Sequence, residues 1–199
     1  MRGNKQAAKI LAAIGLVAGI AAVVYIVIVG DTFGYPGSAA YRTYETFNRA
    51  IAVIIALEAS ALVAFYLHKC NSLPRIDRIL IIIALVAWFG MAVGTAAEFW
   101  LFSDLPYAAA NMRSLSFSVF SFSSLIAGIA LFVLGLRILL GRQLPFYFGV
   151  VLILYLPVDV LLFVIGQSIF LASALITIAI AGFALVWAAV SRTIQQEAA

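Results

Sequence analysis

A chain of 199 residues, 66% of them hydrophobic and only 10% charged, has too much apolar surface for a water-soluble fold, in which roughly 25% of residues are charged. Its net charge of +4 does not point to nucleic acid, because the basic residues distribute by loop, as topology requires. One cysteine (Cys70), one histidine (His68) and three methionines supply no intrachain disulfide, transition-metal site or bis-histidine haem, so no metal and no cofactor is expected.

The fold class is therefore all-α: a polytopic integral membrane bundle, with one transmembrane domain over residues 1–199. After a basic arm, Met1–Lys9, residues 10–29 are twenty uncharged positions, long enough to cross about 30 Å of hydrocarbon at about 1.5 Å per residue. This run exceeds the apolar core of a signal peptide, and no clear A-x-A site precedes Asp31, so it reads as a retained helix. Ala12, Gly15, Gly19 and Ala22 share a face on which another helix can approach closely. Gly30–Asn48 is expected to be the longest loop, on the outer side, with Phe33, Tyr35, Tyr41, Tyr44 and Phe47 suited to the headgroup layer.

The second span, residues 50–68, holds Glu58 near its middle. A carboxylate at that depth costs about 2.5–3.5 kcal/mol on insertion scales. Ala52, Ala56, Ser60 and Ala64 form a small-residue ridge, and Glu58 falls on roughly the opposite face. A cytoplasmic loop, Cys70–Arg78, leads to the third span, residues 79–102. Gly90 and Gly94 form a GxxxG pair there, and Glu98 borders the same close-packing face, with Trp100 and Tyr107 marking the outer interface.

Ser103–Arg113 turns back into the fourth span, residues 114–136, where Ser114, Ser118 and Ser121 align with Gly128 and Gly135. Such hydroxyls can bond their own helix one turn back. Arg137–Leu144 is a short turn. The fifth span, residues 145–165, contains Tyr155, Pro157 and Asp159; the proline removes one helical hydrogen bond and frees the Ile153 carbonyl. Gly166–Ser168 is so short that the fifth and sixth spans must form a hairpin. The sixth, residues 169–190, carries a small face of Ser173, Thr177, Ala181, Ala184 and Ala188, and Ser191–Ala199 is a polar tail.

Nine basic residues (Arg2, Lys5, Lys9, Lys69, Arg75, Arg78, Arg137, Arg142, Arg192) fall on one side of these spans and three (Arg42, Arg49, Arg113) on the other. The positive-inside asymmetry puts both termini in the cytoplasm. Six transmembrane helices then make three antiparallel, outward-facing hairpins in the cell (inner or plasma) membrane.

Glu58, Glu98 and Asp159 are the candidate binding or translocation residues, with Ser118, Ser121 and Tyr155 as polar neighbours; no catalytic residue is assigned. Glu58 lies at mid-depth and the other two acids in the outer third. The plain alternative is structural: an acid can donate across a helix contact, a bond that averages about 0.6 kcal/mol in membranes, or pair with Arg49 or Arg113. Gly15, Gly19, Gly90, Gly94, Gly128 and Pro157 are the helix-packing residues.

Three functions fit this pattern. The first is a small channel or carrier for protons, a cation or a small amphipathic ligand, centred on Glu58. The second is an accessory or scaffold subunit that packs against membrane-protein partners or its own copies within the lipid bilayer. The third is a membrane enzyme with Glu98 and Asp159 as acid and base. No nucleotide loop, zinc signature or N-glycosylation acceptor is present.

Overall fold

Apolar runs of this length form helices because no water is available to satisfy exposed backbone groups in a bilayer. The computed structural model describes residues 2–29, 41–102, 110–141, 144–165 and 170–197. Its elements are α1 (Arg2–Val29), α2 (Tyr41–Lys69), α3 (Arg75–Ala96) continued by a π-helical turn (Ala97–Leu101), α4 (Ala110–Gly141), α5 (Phe146–Val164) and α6 (Phe170–Glu197). The described residues are helical but for short connections, and five helices are long and apolar enough to cross a membrane. The other, α5, is apolar but shorter, with 19 residues and Pro157 inside it, or about 28 Å at about 1.5 Å per residue. Of the turns expected over 30–48, 103–113 and 166–168, residues 30–40, 103–109 and 166–168 lie outside the described residues.

The helices overrun the expected boundaries. The basic arm is helical from Arg2, and Tyr41–Asn48 is not loop but the first two turns of α2. Local bonds account for the second case. The Asn48 side chain donates to the Tyr44 carbonyl at 2.8 Å, Arg49 pairs with Glu45 one turn back at 2.7 Å, and Phe47 stacks on Tyr25 of α1. Residues 75–78, 110–113, 137–141 and 191–197, read as turns or tail, are likewise helical. Hydropathy marks where the chain meets hydrocarbon; backbone hydrogen bonding continues past that point.

Consecutive helices pack on one another, α6 closes back on α1, and α2 also packs on α6. α2 therefore has three helical neighbours, and its buried residues Phe47, Ile51, Ile55, Leu62 and Phe65 form the centre of the core. The outside is apolar too: Val17, Val27, Val86, Phe122, Leu140 and Val186 are all more than 60% exposed. A molecule apolar on both surfaces fits a bilayer, where lipid replaces water as solvent.

Small residues set the helix seams. A Cβ on Gly15 would lie 2.8 Å from the Ala61 Cβ, and one on Gly19 would lie 3.0 Å from the Ala174 carbonyl oxygen. On α3, Gly90 abuts Ser123, and a Cβ on Gly94 would lie 2.6 Å from the Phe120 backbone nitrogen. Between α4 and α5, Gly128 faces Leu156, and Gly135 faces Gly149 and Ile153.

Two polar contacts tie helix ends together. The buried Asp77, on the first turn of α3, accepts a hydrogen bond and ion pair from Arg137 of α4. Lys69, read from sequence as a loop residue, is the last residue of α2 and is buried, with Nζ 3.2 Å from the centre of the Trp187 ring. The aliphatic stem packs on apolar surface while the charge rests on the aromatic face. Trp187→Leu should therefore lower stability by about 1 kcal/mol, read as a small drop in Tm in detergent; an unchanged Tm would show the contact to be energetically idle.

Candidate functional site

Glu58 is the most deeply buried acid among the described residues. It is 1% exposed on α2, with groups of α3 and α6 beside it; the ridge residue Ser60 meets α1, donating to the Leu11 carbonyl at 2.9 Å. The polar neighbours of Glu58 are Ser173 of α6 and Trp88 of α3, yet neither carboxylate oxygen has a partner in hydrogen-bond geometry. The Ser173 hydroxyl donates to the Phe170 carbonyl at 2.8 Å.

Trp88, 1% exposed, also has an unpartnered indole N–H. Its ring lies 5.7 Å from that of Tyr155 on α5, centroid to centroid. Tyr155 is 3% exposed, and its hydroxyl too has no hydrogen-bond partner. That hydroxyl lies near Ser124 of α4, Asp159 and Glu58. Ser124 donates to Asp159 Oδ2 at 3.0 Å. Four helices thus gather an acid, an indole N–H, a phenol, a hydroxyl and a second acid into one polar group.

Unpaired polar atoms in an apolar core are costly, at about 1–3 kcal/mol each, and rare enough in folded proteins that each calls for a reason, a catalytic or ion-binding role among them. Chemically, the set contains two proton-titrating acids with a phenol between them that can both donate and accept.

Asp159 also borders a cleft between α4 and α5 of about 220 Å³, with Ser121, Ser124, Phe117, Phe120 and Leu156 among its walls. On the other side of α5, Tyr155 borders an apolar cleft of about 150 Å³ against α6.

The remaining candidates from the sequence fall elsewhere or into local bonds. Ser118 donates to the Ser114 carbonyl at 2.8 Å, and Ser121 to that of Phe117 at 2.9 Å, so both hydroxyls are used within α4. Glu98 stands on the π-helical turn, half-buried, where the Arg49 guanidinium also donates to the Phe99 carbonyl at 2.7 Å. The Arg113 side chain lies outside the described residues. Pro157 sits inside α5 without ending it.

Trp88, Ser124 and Ser173 were not candidates from sequence. A tryptophan at mid-span, away from the interfaces where this residue concentrates, was the one available signal.

No family model, no curated protein and no solved structure matches this chain. The class rests on the molecule's own structure: an all-helical protein whose apolar helices suit a membrane, with a buried polar cluster at its centre.

Proposed function

We propose that this protein carries protons through the centre of its own bundle, with Glu58 as the central site. The observation that supports this most is the Glu58 carboxyl itself, buried with both oxygens unpartnered beside the equally unpartnered Trp88 N–H and Tyr155 hydroxyl. A structural acid has its bonds made. A proton-relaying acid keeps lone pairs available for a transient partner, and intramembrane acids are the usual relay groups of pumps and transporters. Asp159, Tyr155 and Glu58 form the route, with Ser124 holding the Asp159 carboxyl in place.

The topology that goes with this reading is six crossings in three antiparallel hairpins, termini in the cytoplasm, in the cell membrane. Gly90 against Ser123 and Gly94 against Phe120, or Gly135 against Gly149 and Gly128 against Leu156, run in opposite sequence directions, as hairpins require. The basic-residue asymmetry of the loops sets their orientation. Asp159 then lies towards the outer surface and Glu58 at mid-depth. The scaffold alternative draws on the small-residue faces for partners, and one of them, Gly90–Gly94, is filled by α4 of the same chain.

The test is proton flux into liposomes holding the purified full chain, driven by an imposed membrane potential. Wild type is expected to acidify the lumen. Glu58→Gln, which keeps the shape but cannot exchange a proton, should reduce the rate at least tenfold with unchanged helicity and gel-filtration profile. Absence of flux from folded wild type, or full flux in Glu58→Gln, would overturn the reading.

A further inference from the structure

We infer that the cleft between α4 and α5 is a binding site for a small amphipathic ammonium compound, entered from the lipid side. This goes beyond the proton reading: it shares Asp159 with the proposed route, but it stands or falls on binding.

The charge at the cleft is one-sided. Asp159 contributes a carboxyl, and its only hydrogen-bond partner among the described residues is the Ser124 hydroxyl at 3.0 Å. Among the described residues no lysine or arginine pairs with it. One donor satisfies part of a carboxylate's accepting capacity, which is about four lone-pair sites. An ammonium head, with up to three N–H donors, matches what is left. An anion would meet repulsion.

The walls supply the second half of the recognition. Phe117, Phe120, Leu125 and Leu156 surround the carboxyl with apolar surface. Phe117 and Phe120 present rings 6.4 Å apart. Aromatic faces beside a carboxylate favour an organic cation over a hydrated metal ion, which would have to shed water that these walls cannot replace. Leu125, Phe117 and Val160 are 46–50% exposed on the lipid-facing side of the two helices, so an amphiphile dissolved in the bilayer reaches the site without crossing water.

The space limits the ligand's size. About 220 Å³ accommodates a single-ring or short-chain amine. Small residues explain why the cleft exists where it does. α4 and α5 are in close contact at Gly135–Gly149 and Gly128–Leu156, and they separate towards Phe117–Ser121 on one side and Asp159–Val160 on the other, leaving the cleft at that end.

The experiment uses the full chain in zwitterionic-lipid nanodiscs, with empty nanodiscs subtracting partition into lipid. Phenethylammonium is the probe and 2-phenylethanol its neutral isostere. Saturable binding of the amine is expected, at least tenfold tighter than the alcohol. Asp159→Asn, which still accepts from Ser124, should weaken the amine at least tenfold and leave the alcohol unchanged. Leu125→Trp, on the exposed rim, should occlude the cleft and weaken both; it also carries the test should Asp159→Asn fold poorly. Glu58→Gln should bind the amine as wild type does, so loss of the proton reading would leave this result intact. Equal affinity for amine and alcohol, insensitivity to Asp159→Asn, or no saturable binding to wild type would each overturn the site.

Discussion

Gly94→Leu is expected to leave little or no monodisperse protein after extraction in detergent, whereas Gly182→Ala should match wild type within error. The contrast comes from what each new side chain would meet. A Cβ on Gly94 would lie 2.6 Å from the Phe120 nitrogen and 2.9 Å from the Ser116 carbonyl oxygen, both backbone atoms of α4. Backbone inside a 32-residue helix cannot step aside as a flexible side-chain tip can. Overpacking ordinarily costs about 1–3 kcal/mol; here the whole α3–α4 seam must open, so the cost should reach or exceed the top of that range. Nothing lies within 4 Å of a Cβ on Gly182. The consequence for the site is direct, because α3 brings Trp88 and α4 brings Ser124 to the polar cluster. Gel filtration and thermal unfolding of the two variants decide the matter, and a Gly94→Leu protein with wild-type Tm would mean that α3 and α4 do not meet here.

How much of this could be read from residues alone varies with the physics of each feature. Glu58 was legible because a charge inside an apolar run is conspicuous and expensive. Its surroundings were not. Trp88 counts as apolar on any hydropathy scale, and its N–H matters only once burial leaves it unpartnered. Ser118 and Ser121 stand out in the sequence because they share a stripe with Gly128 at helical spacing. Which serine meets Asp159 depends on how α4 is rotated against α5, and one sequence does not contain that angle. Glu98 was placed by assuming a regular helix from Gly90 onward, but the last turn of this span is π-helical, so the phase of Glu98 departs from that expectation. Asp77 carries no such signal. Between Arg75 and Arg78 it reads as one more charge in a loop, while its partner, Arg137, lies 60 residues away.

The Asp77–Arg137 pair yields a prediction that separates a structural acid from a functional one. Arg137→Ala should destabilise the protein by about 3 kcal/mol, the lower end of what removing one partner of a buried pair costs, since the Arg137 side chain is 36% exposed while that of Asp77 is only 5%. Most of the loss is the penalty of an uncompensated carboxylate beneath the α3–α4 seam. Asp77→Ala/Arg137→Ala should therefore be more stable than Arg137→Ala alone, a sign of coupling that a double-mutant cycle on thermal or denaturant unfolding reads directly. If the double variant were the less stable, the pair would not be coupled as the structure has it. Trp88 stands eleven residues beyond Asp77, about 16 Å along α3 at about 1.5 Å per residue. Arg137→Ala should accordingly retain proton flux at temperatures where it stays folded. Glu58→Gln should behave in the opposite way, keeping its stability and losing its flux, because the amide keeps the shape of the acid but cannot exchange a proton.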